Sequence, residues 1–427
     1  MNDPRTPEQH DRDRVLHTDE FRRLAGITQV ITPTGHSFHN RLTHSLEVAQ
    51  IARRLSENLA AQAPEKHRGA INPDVVETAA LIHDLGHPPF GHVGEEMLDA
   101  LGQAAGLEDG FEGNAQSFRI ATRIAVHKAS YLGLGLTRAT LNASLKYPNL
   151  RGPKPPQGRD DKRAKKLYKK FGAYTDDAEA FAFARELSAD DSPSIEAQIM
   201  DYADDIAYSM HDLVDFYRAG IIPIADLVDN LNQFFDAHKE HFLPSEYEHK
   251  EDEALEIVRR IFDMMPRSMF RGDHEAKARL RDFMSAHITA YSQLSIDWNQ
   301  PTPQLIISAE HRLELAFLKR IIWEYVILRQ QLASQQAGHR RIITVLFDTY
   351  LDAVEQAAKK GSHSLIPPGF AHEACLGESP AEGVPHHPAH VRLAIDIVSS
   401  LSDAQAQAIY LRVTGINPGQ ITDNIFY

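Results

Sequence analysis

The sequence is short of cysteine: Cys375 is the only one in 427 residues. A single cysteine excludes an internal disulfide and a zinc module built from cysteines, and it favours a reducing, cytoplasmic setting. No uninterrupted apolar run is long enough to cross a bilayer, so we expect no membrane partner. The N-terminal stretch MNDPRTPEQHDRDRV is charged from the start and lacks the apolar centre of a signal peptide.

Positive charge is also in short supply. The chain has 45 Lys and Arg against 59 Asp and Glu, a formal net charge of −14. This balance argues against a general nucleic-acid coat, because phosphate binding needs clustered cations. Residues 151–170 are the exception, since they are rich in Pro and Gly and then strongly basic. They form either a solvated loop or a contact for a polyphosphate or single-stranded nucleic acid, and both interpretations stay open.

Sustained alternation of apolar and polar residues is almost absent, whereas nearly every patterned segment has a helical period. The sequence therefore predicts an all-α protein. Asn72-Pro73 and Ser192-Pro193 are typical helix openers, and Gly220 is a typical stop. We expect helices at 41–59, from Pro73, from Pro193 to about Arg218, and at 223–238, 250–263, 274–294, 306–333, 337–359 and 389–414, with a surface loop at 361–390.

The stretch HDLGHPPFGHVGE, from His83 to Glu95, concentrates three histidines and two carboxylates. His83 and Asp84 are neighbours at the expected end of a helix, and a neighbouring imidazole and carboxylate can both reach one divalent cation. Neither group is buried cheaply without a partner. The stretch predicts a metal site with acid and base groups beside it.

Two further residues are candidate ligands. His44 lies on the apolar face of its predicted helix, although a lone inward histidine is more often a hydrogen-bonded core residue. Asp204, Tyr208 and Asp212 are spaced i, i+4, i+8 and form one stripe along a largely apolar helix. The alternative is that the acidic run 201–205 is a solvated edge. The shared stripe favours Asp204 as the fourth ligand.

The order His44, His83-Asp84, Asp204 is similar to the H…HD…D signature of HD-domain phosphohydrolases. A bare HD pair is a weak motif, but the flanking blocks narrow the resemblance to the deoxynucleoside triphosphate triphosphohydrolases, the dGTPase-like family. The resemblance runs from about Asp11 to Leu213 and is weaker beyond. Its blocks, in order, are DRDRVLHTDEFRRLAGITQV, NRLTHSLEVAQIARRL, LIHDLGHPPFGHVGEEML, GFEGNAQSFRI, LKYP and MDYADDIAYSMHDL.

The resemblance implies roles for individual residues. It implies a divalent cation, with Mn or Mg favoured and Fe, Co, Ni or Zn also compatible, held by His44, His83, Asp84 and Asp204. It implies that His92 and Glu95 are the acid/base pair. It also implies substrate contacts at Gln29, Arg41, His87, Tyr208 and Asp212. A tyrosine packed against C2′ would exclude a 2′-hydroxyl and so select deoxyribose.

The activity that the resemblance implies is hydrolysis of a dGTP-like deoxynucleoside triphosphate to a deoxynucleoside and inorganic triphosphate. It implies an HD-type catalytic helical core at 1–220 and a C-terminal helical extension at 221–427 that completes the pocket and the contacts of a homo-oligomer, with a hexamer favoured. Two alternatives remain: another HD phosphohydrolase activity (nucleotidase or phosphodiesterase), or a nucleotide- or single-stranded-DNA-binding regulator with weak turnover, suggested by 151–170. Residues 399–403 depart from the family pattern, which bears on base selectivity and regulation.

Overall fold

A computed structural model describes residues 3–29, 39–154, 162–361, 364–374 and 386–420. The predicted all-α class is confirmed. The helices are α1 (Pro7–Leu16), α2 (Asp19–Arg23), α3 (Arg41–Gln62), α4 (Pro73–Ile82), α5 (His92–Ala104), α6 (Gly113–Arg119), α7 (Arg138–Ala143), α8 (Lys162–Lys169), α9 (Ala178–Arg185), α10 (Ile195–Arg218), α11 (Ile224–Asp229), α12 (Leu231–Phe242), α13 (Glu251–Ile261), α14 (His274–Tyr291), α15 (Ala309–Ile322), α16 (Gln330–Lys360), α17 (Ala371–Ala374), α18 (Pro388–Ser399) and α19 (Asp403–Val413).

Short elements link these helices. One antiparallel hairpin pairs β1 (Ser295–Asp297) with β2 (Gln304–Ile306), and Ser295 stands opposite Ile306. Two π-helical turns extend α6 and α15, and single 3₁₀ turns occur elsewhere. The π turns are Ile120–Ile124 and Trp323–Ile327, and the 3₁₀ turns are Leu24–Gly26, Glu65–His67, Thr175–Asp177, Ser245–Tyr247 and Pro368–Phe370.

Several predicted boundaries were wrong, and local capping explains two of them. The Ser194 hydroxyl accepts a hydrogen bond from the Ala197 N–H, so α10 begins two residues after Pro193. The expected 389–414 helix is two helices, because Ser402 forms a capping box with Gln405 and starts α19.

Three other expected segments are also divided. The 223–238 segment breaks at Asn230 into α11 and α12, and the 306–333 segment starts as β2 and continues as α15 and a π turn. The expected loop at 361–390 contains α17 and the start of α18, while 362–363 and 375–385 lie outside the described residues. Apolar periodicity locates such helices well but does not locate their ends.

The helices enclose two clusters of buried apolar side chains. The first core is built mainly on α3, α4 and α10 and continues into α12–α15. The second core lies where α5 packs against α16, α18 and α19. No helix within the described ranges has both the length and the apolar character needed to span a bilayer. The division at residue 220 stays a prediction.

Candidate active site

The imidazole at the end of α4 has one nitrogen that is available to bind a metal ion. His83 is the C-cap of α4, where the sequence predicted the helix to end. Its Nδ1 donates to the Ala80 carbonyl oxygen at 2.6 Å, because a carbonyl can only accept. Its Nε2 is buried and has no hydrogen-bond partner among the described residues. Metal-binding histidines are commonly oriented in this way, with the second nitrogen donating to a carbonyl.

Packing of α3, α4 and α10 brings the four predicted ligands together. His44, His83 and Asp84 each place a ligand atom within 4.8 Å of the others. Asp204, on α10, lies beside them, with Oδ1 3.0 Å from His44 Nε2 and 3.7 Å from His83 Nε2. Two imidazoles and two carboxylates around an unpartnered nitrogen fit a divalent cation.

Both carboxylates of this cluster are held in the charged form. Burial raises the pKa of Asp84, but the charges of Arg41 and His83 outweigh it and leave that pKa well below its ordinary value. Arg41 Nη1 donates to Asp84 Oδ2 at 2.8 Å. Burial also raises the pKa of Asp204, but the charge of the Lys146 ammonium outweighs burial and leaves that pKa well below its ordinary value. Ionised carboxylates are the form that binds a cation.

Lys146 is a site residue that the sequence did not reveal. Its Nζ lies 2.5 Å from Asp201 and 3.2 Å from Asp204. The LKYP block that contains it is part of the family resemblance, but a four-residue block does not show which residues its lysine contacts in the fold. The lysine supplies positive charge beside Asp204, the candidate ligand on α10.

A sharp turn carries the chain from Asp84 to the second half of the site. Gly86 packs so closely against α6 that a Cβ there would stand 2.2 Å from the Gly113 carbonyl oxygen. Phe90 and Gly91 both have positive φ, 65° and 57°, and α5 starts at the next residue, His92. The loop 85–91 therefore brings His92 back beside the predicted metal cluster.

His92 and Glu95 form an imidazole–carboxylate pair one turn apart on α5. Burial raises the pKa of Glu95, but the hydrogen bond with His92 and the charge of Lys170 lower it well below its ordinary value. The ionised carboxylate therefore accepts from His92 Nδ1, which lies 3.1 Å from Oε2. His92 is 72% exposed, and its ring centroid is 5.7 Å from that of His87. This arrangement leaves Nε2 free to exchange a proton with a bound molecule.

The predicted substrate contacts carry unused hydrogen-bonding atoms. Gln29 Oε1 and Asp212 Oδ2 are both buried, with no hydrogen-bond partner in the part of the chain that the structure describes. Burial and the neighbouring Asp215 charge raise the pKa of Asp212 to about 8, so its carboxyl is neutral at pH 7. Tyr208 is half-buried one turn before Asp212 on α10.

His87 is held neutral. Burial, followed by the charge of Arg41, lowers the pKa of His87 to about 4. Its Nδ1 lies 3.0 Å from Asp84 Oδ1. A neutral imidazole here can exchange hydrogen bonds with a phosphate without adding a further positive charge.

The C-terminal helices reach the site through Asp403. This residue lies in the 399–403 segment, which departs from the family pattern. Asp403 accepts hydrogen bonds from the Thr28 N–H at 3.0 Å and from the Phe90 N–H at 2.8 Å. It also accepts the Thr28 hydroxyl at 2.5 Å, and so fastens Thr28, which precedes Gln29, and the loop 85–91 to the start of α19. The bearing of this segment on base selectivity stays a prediction.

Part of the basic segment is also tied to the site. Lys170, which ends it, places Nζ 3.2 Å from Glu95 and 2.9 Å from Glu112. Arg151, which begins it, pairs with Asp99 at 2.7 Å. Residues 155–161 lie outside the described part of the chain. The two ends therefore make fixed ion pairs, and nucleic-acid binding by 151–170 stays a prediction.

The fold and the site together define a class: an all-α protein whose H…HD…D residues meet between three packed helices, as in an HD domain. Comparison with known families agrees, since residues 41–209 match the HD domain and residues 305–412 match the phosphohydrolase-associated domain. The second match covers the C-terminal helices, where the sequence resemblance was weak.

Three relatives narrow the class. Each is named a deoxyguanosinetriphosphate triphosphohydrolase-like protein. The relative from Streptomyces coelicolor is 37% identical over 96% of this chain and 93% of its own length. Those from Corynebacterium diphtheriae and Wolinella succinogenes are 33% and 30% identical over 96% of this chain, and over 91% and 96% of their own lengths. The chain belongs to the family of deoxyguanosinetriphosphate triphosphohydrolase-like proteins.

Proposed function

We propose that this HD-family hydrolase cleaves deoxynucleoside triphosphates to a deoxynucleoside and inorganic triphosphate. The proposal rests on one observation: the four candidate metal ligands lie beside the His92–Glu95 pair. The four ligands fit a divalent cation, and the His92–Glu95 pair fits proton transfer next to that cation. The relatives are named deoxyguanosinetriphosphate triphosphohydrolase-like proteins, and membership of that family supports the same reaction type here.

In the proposed reaction, water attacks the α-phosphorus, the bond to the 5′-oxygen breaks, and the nucleoside leaves with that oxygen. His44, His83, Asp84 and Asp204 would hold a divalent cation, which would act as a Lewis acid toward a phosphoryl oxygen or the attacking water. Mn²⁺ and Mg²⁺ are the cations that we favour. Together the steps move one proton from the water to the departing 5′-oxygen.

The protein's own groups orient the reactants and move that proton. Arg41 and His87 face the phosphates, and the guanidinium offsets the charge that develops there. His92 exchanges the proton through Nε2, while Glu95 holds the ring through Nδ1. The hydrogen bond with His92 and the charge of Lys170 keep Glu95 ionised, so that the carboxylate accepts from the imidazole.

Selection of deoxyribose is assigned to Tyr208, which lines the sugar together with Asp212, while Gln29 contacts its 3′-hydroxyl side. Tyr208→Ala opens space for a 2′-hydroxyl, and we expect the ratio of dGTP to GTP turnover to fall by at least about 10-fold. Tyr208→Phe keeps the ring and is the matched control, which retains the ratio. An Ala variant with unchanged discrimination contradicts this assignment.

A product assay tests the reaction. The purified full-length chain is incubated with each of the four dNTPs and with Mn²⁺ or Mg²⁺, and the products are resolved by ion exchange. Deoxynucleoside plus triphosphate is the expected outcome. Deoxynucleoside monophosphate plus pyrophosphate contradicts the proposal and favours another HD phosphohydrolase activity.

Assembly is a further part of the proposal. The family resemblance favours a homo-oligomer, a hexamer in particular, and light scattering of the full-length chain distinguishes a hexamer from the 47.9 kDa monomer. Salt-dependent binding of single-stranded DNA with no turnover of any dNTP would favour the regulator alternative instead.

A further inference from the structure

A second group of side chains that could hold a metal ion lies around the start of α3 and on α10, apart from the predicted catalytic cluster. His39, Glu47 and His211 each offer a ligand atom, and these atoms lie within 4.8 Å of one another. Neither the family resemblance nor the proposed reaction uses any of the three. His39 directly precedes Asn40, the N-cap of α3, Glu47 lies within α3, and His211 is on α10.

His39 is oriented by a carboxylate in the way that metal-binding histidines are. Its Nδ1 lies 2.6 Å from Asp215 Oδ2, and the same oxygen accepts the His39 backbone N–H at 2.9 Å. Its other ring nitrogen, Nε2, lies 3.0 Å from Glu47 Oε1. A carboxylate that accepts from one ring nitrogen fixes the tautomer and directs the lone pair of the other toward a metal.

His211 supplies a second nitrogen, and it is buried without a hydrogen bond. The residue is 6% exposed, and its Nδ1 lies 2.5 Å from Glu47 Oε2. Despite that proximity, the geometry gives neither atom a hydrogen-bond partner within the described ranges. The rings of His39 and His211 are stacked, with centroids 5.3 Å apart and an interplanar angle of 15°. A buried nitrogen and a carboxylate oxygen this close can both bind one cation that lies to the side of the line joining them.

We propose that His39, Glu47 and His211 form a second cation site, held by Asp215, for a divalent transition metal of the Zn²⁺ or Mn²⁺ class. Two imidazole nitrogens and one carboxylate suit these ions, and water completes the coordination. Bonds of about 2.0–2.2 Å place neighbouring ligand atoms about 3.0–3.5 Å apart. The 3.0 Å between His39 and Glu47 agrees with this spacing, and the 2.5 Å between His211 and Glu47 widens when the ion binds.

The second ion has a structural role, because it joins the start of α3 to the second half of α10. Arg41 follows His39 by two residues, and Asp212 follows His211 directly. The ion therefore holds two substrate-facing residues in register without touching the substrate. This inference does not depend on which phosphoester the catalytic site cleaves.

Metal counting tests the proposal. The full-length chain is stripped with a chelator, loaded with excess Zn²⁺, passed through gel filtration and analysed by mass spectrometry of the metal. We expect two ions per chain in the wild type and one in Glu47→Gln or His211→Asn. The matched control is Glu57→Gln, because Glu57 also lies on α3 but pairs with Arg53 and Arg54 on its outer face, and it retains two.

A complementary variant protects the test against misfolding. The double variant His83→Gln/Asp84→Asn removes ligands of the catalytic cluster and leaves the second site untouched, so it retains one ion. Loaded with Co²⁺, it shows visible absorption bands of a protein-bound ion, and adding Glu47→Gln abolishes them. A wild type with one ion, a Glu47→Gln variant with the wild-type count, or a double variant with none overturns the proposal. His39 is then an imidazolium held between Glu47 and Asp215.

Discussion

At the scale of single residues, different surroundings give two aspartates of the site different protonation states. Asp204 and Asp212 lie two turns apart on α10, yet the first is held ionised by Lys146 and the second is kept protonated by burial. One is thereby suited to a cation and the other to donating a hydrogen bond to a sugar. Environments that give two carboxyl groups widely different pKa values are typical of active sites.

The pKa of Asp212 predicts a pH-dependent stability. Its folded-state pKa of about 8 is above the ordinary value of 3.8, so the folded protein holds a proton that the unfolded chain has lost between these values. This contribution to stability is complete below about pH 4 and is lost as the pH rises through about 8. Asp212→Asn cannot ionise and removes the dependence.

We expect the free energy of unfolding to fall less in Asp212→Asn than in the wild type between about pH 5 and about pH 9, by on the order of 1 kcal/mol or more. Urea unfolding of chelator-treated protein at the two pH values measures the difference. Chelation is required because a bound cation would itself shift this carboxyl. Equal slopes in the two proteins would show that Asp212 is ionised throughout.

The assignment of His92 predicts a loss of rate without a loss of fold. His92 is 72% exposed, with its side chain beside Glu95 and at the edge of the His87 ring, so His92→Gln leaves the buried cores intact. We expect kcat to fall about 10²- to 10⁴-fold, the usual contribution of a positioned acid or base, with unchanged metal content. His241→Gln, an exposed histidine on α12, is the control. Wild-type kcat in the His92 variant would exclude the assigned proton transfer.

At the scale of elements, the site depends on one irregular loop held between regular helices. Loop 85–91 is fastened on one side by Ser117, whose hydroxyl accepts the Gly86 N–H at 2.8 Å. It is fastened on the other by Asp403, which accepts the Phe90 N–H. Loops positioned by a rigid scaffold in this way commonly carry function.

Asp403→Ala is expected to loosen this loop. The substitution removes the carboxylate that accepts the Phe90 N–H, the Thr28 N–H and the Thr28 hydroxyl, at a cost of about 1–3 kcal/mol for each buried group that stays unsatisfied. Because the loop carries the chain to His92, we expect kcat/KM to fall more than the loss of stability accounts for. Urea unfolding and steady-state kinetics measure the two effects. Asp403→Asn keeps one acceptor oxygen and should be intermediate, whereas full activity in the Ala variant would contradict the tether.

At the scale of the whole molecule, a buried ion network joins the elements around the two cores. Arg119, at the end of α6, donates to Asp396 on α18 at 3.0 Å and to Asp177 at 3.0 Å. The Gln116 side chain also donates to Asp396, at 2.9 Å. All four side chains are buried. The network connects the helix beside loop 85–91 with the second core.

Breaking this network should be costly. Asp396→Ala leaves the Arg119 guanidinium buried with one of its two carboxylates, and we expect a loss of about 3–5 kcal/mol in the free energy of unfolding. Asp282→Ala, at an exposed position on α14, is the control and should change stability by less than about 0.5 kcal/mol. Denaturant unfolding compares the two, and a similar small effect in both would show that the network adds little.

The sequence by itself determined the features that arise from neighbouring residues. Helical periodicity determined the all-α class, and an apolar run followed by His83 and Asp84 determined where α4 ends, because side-chain pattern and capping act within a few residues. The flanking motifs were enough to place the chain in its family. They were also enough to name four ligand candidates, which the structure brings together.

Only the tertiary structure decided the contacts between distant segments. His44 meets Asp204 across 160 positions, and Thr28 meets Asp403 across 375. Lys146 beside Asp204 and His39 beside Asp215 likewise depend on how the helices pack. A local pattern shows which face of a helix is buried but not which helix covers it, so the charges and tethers around the candidate site emerged only from the fold.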